Sequence, residues 1–283
     1  MNKEITFKGK VMKLVGRTIK EGKPAPDFRA VSPEGKDFLL ADFNGKVKLI
    51  NSYISLDTPV CDLQVKEFNK RAYGLSQDIV IIGISKDLPF AQKRFCEAFE
   101  INNALVLSDY KYSSFGINYG LLIKELNLLA RAAFILDKNN LIRYIQIVPE
   151  LTTHLNYDEV LKSLEGVIKN PTAALPQALP SKCKPCEEGT PPLAKEKVER
   201  LLAKYRGWEL IEEKKLVKEF KFKDFVEAKY FLDLVSVIAE EQGHHPNLTL
   251  IYNRLKITLT THAAGGLTEN DFIMAKIIDE LGV

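Results

Sequence analysis

This 283-residue chain predicts two modules in series: an α/β domain built on an open sheet, then a small α+β domain with an antiparallel sheet and helices on one face. Three observations predict it. Between residues 47 and 148, β-rich runs alternate with helical patterns and close on a hairpin, the pattern of a central sheet covered by helices on both faces. Beyond residue 193 the order of elements reads α-β-β-α-β-β-α. Between them lies NPTAALPQALPSKCKPCEEGTPP, residues 170–192, which holds six of the chain's thirteen prolines and two of its four cysteines. That stretch has neither helical nor strand periodicity and reads as an extended tether.

The elements follow in order. Residues 4–16, EITFKGKVMKLVG, alternate polar and apolar about a Gly-centred turn, as a hairpin does. VKLINSYIS (47–55), IVIIGISKD (79–87) and ALVLSDY (104–110) are buried-strand runs, and two further strands, 131–136 and 141–148, flank a DKNN turn. In the second module LAKEKVERLLAKY (193–205) has helical spacing, and residues 208–222 hold two short strand-like runs. Residues 225–242 form an amphipathic helix with Phe231, Leu234, Val235 and Ile238 on one face. Strands at 248–252 and 255–261 are joined at Asn253-Arg254, and Thr268 starts the last helix.

Composition narrows the function. At 46% hydrophobic residues the chain can bury two cores. Net charge is +5 over residues 1–182 and −2 over 183–283, so neither half carries the basic bias of a nucleic-acid binder. MNKEITFKGK lacks the apolar run of a signal peptide, and no stretch approaches the roughly 18 apolar residues that span a bilayer. A soluble cytoplasmic protein without nucleic-acid or membrane partners is expected. Four cysteines are too few for a secreted disulfide scaffold, so each thiol is read by its setting.

Chemistry concentrates first at SLDTPVCD, residues 55–62, where a buried strand gives way to an amphipathic helix. Thr58 is placed to cap that helix and Pro59 to occupy its first turn, which leaves Cys61 among unpaired N–H groups at the positive end of the dipole. Such a setting favours thiolate over thiol. Residues 1–169 resemble a thiol peroxidase, the atypical two-cysteine branch of the peroxiredoxins: SLDTPVC, DLPFAQKRFC (87–96), LLARAAFILD (128–137) and VPELTTHLNYDEVL (148–161) follow that family's blocks in order.

The resemblance implies a thioredoxin-like fold with Cys61 as peroxidatic nucleophile. It also implies Thr58 hydrogen-bonded to the thiolate or peroxide, Arg131 as the adjacent cation, Cys96 as the resolving thiol, and a thioredoxin-like protein as electron donor. The chemistry is a thiolate becoming a sulfenic acid, which a second thiol condenses with before over-oxidation. One departure stands out: the family has a proline four residues before the Thr, and this chain has Ile54. His154 lies outside the catalytic blocks and is read as a loop residue.

The second concentration is histidine. His244, His245 and His262 fall within 19 residues, the first two after a helix end at Gly243 and the third after a strand. Adjacent histidines rarely share one ion, so no metal site is expected, and imidazoles titrating near neutrality suit general acid–base work. EQGHHPNLTLIYNRLKITLTTHAAGGLTEND, residues 241–271, resembles pterin-4a-carbinolamine dehydratase, and the likeness extends over about residues 183–283.

That family implies dehydration of a 4a-hydroxytetrahydropterin, with the pterin as substrate, no bound cofactor, and His244, His245 and His262 around it. Asp271 is either the family's acidic residue or, three residues after Thr268, a helix cap. Ala263 replaces an acidic residue common after the TH pair. Pterin-dependent hydroxylases release the carbinolamine and, when uncoupled, peroxide, so one bifunctional enzyme would clear both. The alternative is a peroxidase whose second module serves oligomerisation or protein interaction. Both families assemble, so a homo-oligomer is expected.

The likeness moves residues 183–192 out of the tether and into the second module, leaving 170–182 as the linker. The Cys183-x-x-Cys186 spacing permits a redox disulfide that would serve Cys61 and Cys96 internally, but the βαβ setting of such a motif is missing, and a structural role stands first.

Overall fold

The computed structural model describes residues 4–72, 78–169, 182–184 and 190–281, and the chain divides into two compact units, Met1–Leu175 and Pro176–Val283. Of the expected linker only Lys182 lies among the described residues, and Cys186 lies outside them.

The first unit opens with a hairpin of β1 (Glu4–Phe7) and β2 (Lys10–Val15). It continues through β3 (Arg29–Val31), β4 (Asp37–Leu39), β5 (Val47–Ser52), α1 (Pro59–Ala72), β6 (Ile79–Ser85), α2 (Pro89–Ala98) and β7 (Leu105–Ser108). Then come α3 (Ser114–Asn118), β8 (Leu122–Ile123), β9 (Leu128–Leu129), β10 (Ala132–Leu136), β11 (Ile142–Ile147) and α4 (Tyr157–Lys169). A seven-stranded sheet runs β11-β10-β5-β6-β7-β3-β4, parallel from β5 to β7 and antiparallel outside, and β1-β2-β8-β9 form a second sheet.

Every residue of β5 is buried, as a central strand covered on both faces requires. On one face Val47, Leu49, Ile81, Ala133 and Ile135 pack with Phe68 of α1 and with Val160, Leu164 and Val167 of α4. Toward the other, the rings of Phe28, Phe115, Tyr119 and Phe134 meet at centroid separations between 4.5 and 6.2 Å.

Strand alternation carries the first of these faces onward. Because Leu49 pairs with Ile81 and Asn51 with Gly83, the side-chain positions of Asn51, Tyr53, Gly83 and Ser85 continue the apolar row of Val47, Leu49 and Ile81. The face therefore turns polar at the carboxyl ends of the parallel strands, where open α/β sheets place their ligand sites.

The second unit comprises α5 (Lys195–Leu202), β12 (Glu209–Ile211), β13 (Lys215–Lys221), α6 (Phe225–Gln242), β14 (Asn247–Ile251), β15 (Arg254–Leu259) and α7 (Glu269–Glu280). Its antiparallel sheet runs β12-β13-β15-β14. In β15, Leu255, Ile257 and Leu259 are buried while Arg254 and Lys256 are exposed, so one face takes both long helices. Helix α6 buries Ala228, Phe231, Leu234, Val235, Ile238 and Ala239 in that contact; Asp224 caps it, its carboxylate accepting from the Glu227 amide at 2.9 Å, and Gly243 ends it at φ 61°.

Three differences from the sequence reading have physical causes. The strand expected over 47–55 stops at Ser52, because Ser55 and Leu56 bond to the Asp87 carboxylate rather than to a neighbouring strand. The β14–β15 turn is centred on Tyr252-Asn253 rather than Asn253-Arg254, with Tyr252 at φ 49° and Arg254 paired with Ile251. Strands β3, β4, β8 and β9 run only two or three residues and α3 five, too short to impose a period on the sequence.

Candidate active sites

Strand β5 delivers the chain to residues 55–62 at the polar end of the sheet. Asp87, just past β6, accepts from Ser55 Oγ at 2.7 Å and from the Leu56 amide at 2.8 Å, which fixes the loop against the segment leading to α2. Pro59 opens α1 as expected.

Thr58 does not cap as expected. Its hydroxyl donates to the Ser55 carbonyl at 3.0 Å, closing a tight turn, and its own carbonyl accepts from the amides of both Cys61 and Asp62 at 3.0 Å. Cys61 N–H is therefore paired, and the expected group of unpaired amides does not extend to it.

The Cys61 side chain is wholly buried, 0% exposed, and meets a buried cation. Arg131, one residue before β10 and 1% exposed, donates from Nη2 to Cys61 Sγ at 3.2 Å and to the Leu151 carbonyl at 3.2 Å. Its Nη1 donates to Gln64 Oε1 at 2.6 Å. Gln64 in turn donates to Asn51 Oδ1 at 2.9 Å and to the Ser52 carbonyl at 3.2 Å, and Asn51 donates to the Ile82 carbonyl at 3.0 Å. A chain of buried polar groups thus orients the guanidinium from the sheet.

Sequence reasoning missed Gln64 and Asn51. The available signal was spacing, since Gln64 follows Cys61 by three and shares its helix face. Arg131 Nε and the Tyr157 hydroxyl are buried without a hydrogen-bond partner among the described residues, and an unsatisfied buried donor favours any polar molecule that can reach it.

Cys96 lies in α2, half-buried, and neither Cys61 nor Cys96 is in a disulfide. Burial above all, with the charges of Glu34 and Glu97, pushes its thiol up to about 11. Helix α2 touches α1 beside it: the Lys66 ammonium sits 3.3 Å from the Phe99 ring centroid and 5.9 Å from that of Phe95. His154 is exposed, as a loop residue should be, its ring centroid 6.3 Å from that of Tyr157.

In the second unit Asp271 is both cap and partner. Its Oδ2 accepts from the Thr268 amide at 2.7 Å, at the start of α7, and from Thr261 Oγ1 at 2.8 Å. Its Oδ1 lies 2.8 Å from His244 Nε2. Facing an ionised carboxylate, which only accepts, Nε2 would be the nitrogen that carries the proton and Nδ1 the one left for exchange. Asp271 is fully buried and His244 nearly so, whereas His245 is exposed, 3.0 Å from Glu240 Oε1, and His262 is exposed in a short turn after β15.

An open cleft of about 560 Å³ in this unit is lined by Phe220, Phe222 and Phe231 with Lys218, Lys221 and Lys223; none of the three histidines lines it. Cys183 is buried, its amide donating to Gln242 at 2.9 Å, and the next amide, of Lys184, donates to Asn270 at 3.0 Å. No helix among the described residues is long and apolar enough to cross a membrane.

Both halves of the chain resemble known proteins. The redoxin family model matches residues 20–161, and that for pterin 4 alpha carbinolamine dehydratase matches residues 191–281. The thiol peroxidase of Bacillus subtilis (strain 168) is 44% identical over 166 residues, covering 59% of this chain and 99% of the relative. That of Staphylococcus aureus (strain MRSA252) is 44% identical over 164 residues, covering 58% and 99%. A crystal structure of a peroxiredoxin-like protein from Aquifex aeolicus aligns with a TM-score of 0.55 at 40% identity, covering 58% of this chain and 98% of that one. The chain therefore belongs to the redoxin family, as a thiol peroxidase-like, thioredoxin-fold domain followed by a pterin carbinolamine dehydratase domain.

Proposed function

We propose that the chain is a bifunctional enzyme, reducing peroxides at Cys61 and dehydrating a 4a-hydroxytetrahydropterin in its second unit. The observation that carries the first activity is the buried Cys61 sulfur under the Arg131 guanidinium. The sulfur attacks one peroxide oxygen, the O–O bond breaks, and the departing oxygen leaves as water or alcohol with the proton that the Cys61 thiol gave up on ionising. Arg131 offsets negative charge as it develops there, in a site dry enough for that charge to be felt. Thr58 holds the peroxide at the mouth of the turn.

The Cys61 sulfenic acid then condenses with the Cys96 thiol: the S–S bond forms, the S–O bond breaks, and the hydroxyl leaves as water with the thiol's proton. A thioredoxin-like dithiol returns two electrons and two protons. In the second unit, His244 oriented by Asp271, together with His245 and His262, moves protons at the pterin as its 4a-hydroxyl leaves. The chain acts in the cytoplasm and as a homo-oligomer.

Two assays test this. Stopped-flow oxidation by hydrogen peroxide, with Cys61→Ser as control, is expected to show a fast phase that the variant lacks; no such phase in the natural chain sinks the peroxidase reading. His245→Ala is expected to abolish carbinolamine dehydration with assembly unchanged. If that variant dehydrates normally, the second unit serves interaction instead.

A further inference from the structure

The last of the four blocks that mark the first unit, residues 148–161, supplies no side chain to the cycle above, yet its backbone reaches the site. Leu151 is 1% exposed, and its carbonyl accepts at 3.2 Å from Arg131 Nη2, the same nitrogen that lies 3.2 Å from Cys61 Sγ. One Nη2 hydrogen serves the carbonyl and the other the sulfur. Where that carbonyl sits therefore decides where the hydrogen facing Cys61 points.

The carbonyl is held through the residue before it. Among the described residues the Glu150 carboxylate accepts five hydrogen bonds. Its Oε2 takes Thr6 Oγ1 at 2.7 Å and the Gly9 amide at 3.2 Å, and its Oε1 takes the Lys8 amide at 3.0 Å. Oε1 also takes the Thr152 amide at 3.1 Å and the Thr152 hydroxyl at 2.8 Å. Lys8 and Gly9 are the two left-handed residues of the β1–β2 turn, at φ 51° and 77°. One carboxylate thus ties the tip of the N-terminal hairpin to the loop after β11.

The backbone alone makes a short seam there. The Thr6 amide donates to the Pro149 carbonyl at 2.7 Å and the Leu151 amide to the Thr6 carbonyl at 2.9 Å, a single parallel bridge across Glu150. Residues 150–153 then close a turn, Thr153 donating to the Glu150 carbonyl from its amide at 3.0 Å and its hydroxyl at 2.7 Å. Leu151 is the second residue of that turn, and the Glu150 side chain braces it through Thr152 on one side and the hairpin on the other. The Thr6 hydroxyl above all, then Thr152, holds the Glu150 carboxyl down to about 2, so the brace stays ionised near neutrality, where charge-assisted bonds are stronger than neutral ones.

We propose that Glu150 is a positioning residue for the peroxidatic site: it braces the turn that carries the Leu151 carbonyl, and through that carbonyl aims the Arg131 Nη2 hydrogen at the Cys61 sulfur. Glu150 acts through Arg131 alone, and the N-terminal hairpin becomes part of the support of the guanidinium. This rests on the reading of Cys61 as the attacking thiol.

The test compares the reduced full-length chain with Glu150→Gln, which keeps the side chain's length but sets an NH2 group against donors, and with Glu125→Gln. Glu125 accepts from the Lys13 amide of the same hairpin at 3.0 Å, and no hydrogen bond among the described residues joins it to 149–152, so it controls for loosening of the hairpin as such. Oxidation by hydrogen peroxide is followed by stopped flow, and the readiness of the sulfur itself by the rate of Cys61 alkylation with iodoacetamide at neutral pH. Expected for Glu150→Gln are both rates slowed about tenfold, because the cation is no longer aimed at the sulfur. Glu125→Gln is expected to leave both within about twofold of the natural chain, whatever its melting temperature. In an Arg131→Lys background, adding Glu150→Gln is expected to slow oxidation by less than about twofold, since the forked donor it positions is gone.

Natural rates in Glu150→Gln overturn the proposal. So does equal slowing by Glu125→Gln, or a full further loss in the Arg131→Lys background, either of which makes Glu150 a support of the fold only. If the natural chain shows no oxidation phase that Cys61→Ser lacks, the assignment of Cys61 falls, and the alkylation rate of Glu150→Gln then decides the positioning role on its own.

Discussion

Arg131 Nη2 lies 3.2 Å from Cys61 Sγ, joining the start of a core strand to the first turn of α1 across seventy residues of sequence. The guanidinium spreads its donors over four partners at once, Cys61, Gln64 and the Leu151 and Val60 carbonyls. A lysine carries the same charge but cannot fork. Arg131→Lys is accordingly expected to slow peroxide oxidation of Cys61 about 100-fold, as loss of one aimed donor in a dry site does. Stopped-flow rates at fixed peroxide read this; a loss under threefold would mean charge alone suffices.

Gln64 is the second half of that relationship. Removing its amide while keeping its bulk, as in Gln64→Leu, leaves Asn51 Oδ1 without its donor in the interior and Arg131 Nη1 with only the long 3.5 Å bond to the Val60 carbonyl. Each orphaned buried group costs about 1–3 kcal/mol. The variant is expected to unfold at lower denaturant and to oxidise about tenfold more slowly, because the guanidinium is no longer held. Full stability in urea would show that water replaces the amide.

The contrast between Cys61 and Gln64 shows what the sequence could disclose. Strand, proline and cysteine in succession announce a helix start with a thiol in it, because each residue type there has a local cause. Gln64 looks like an ordinary polar position on an amphipathic helix; only the fold reveals that its face meets Asn51 and Arg131. Thr58 misled for the same reason, since its hydroxyl could reach either the helix amides or the Ser55 carbonyl, and only the turn decides. In the second unit the helix-capping and catalytic readings of Asp271 competed in the sequence, whereas one carboxylate serves Thr268 and His244 through different oxygens.

Cys96 should make the cycle sensitive to alkali. Burial, then Glu34 and Glu97, raises its thiol from an ordinary 9.0 to about 11, so little of it is ionised at neutrality. The disulfide-forming step is expected to quicken about tenfold per pH unit from 7 until near 11, measured in single turnovers after Cys61 is oxidised. Glu97→Gln removes one opposing charge and should move the profile toward lower pH. Folding stability shifts the other way: the folded thiol keeps its proton while the unfolded one loses it near 9, so stability falls as pH climbs from about 9 to 11. A flat rate profile between pH 7 and 9 would exclude Cys96 as the attacking thiol.

Asp271 separates structure from catalysis in the second unit. Asp271→Ala removes the acceptor for the Thr268 amide and for Thr261, and leaves His244 Nε2 without its partner. It is expected to lose about 1–3 kcal/mol of stability as well as activity. Asp271→Asn keeps one oxygen for the Thr268 amide, and so most of the cap, but removes the anion that orients His244. That variant should melt within a few degrees of the natural chain and dehydrate the carbinolamine at least about tenfold more slowly, since the imidazole is free to adopt the other tautomer. Calorimetry and an absorbance assay of dehydration give the two quantities on the same samples. Full activity in Asp271→Asn would reduce the residue to a helix cap and return the proton chemistry to His245 and His262 alone.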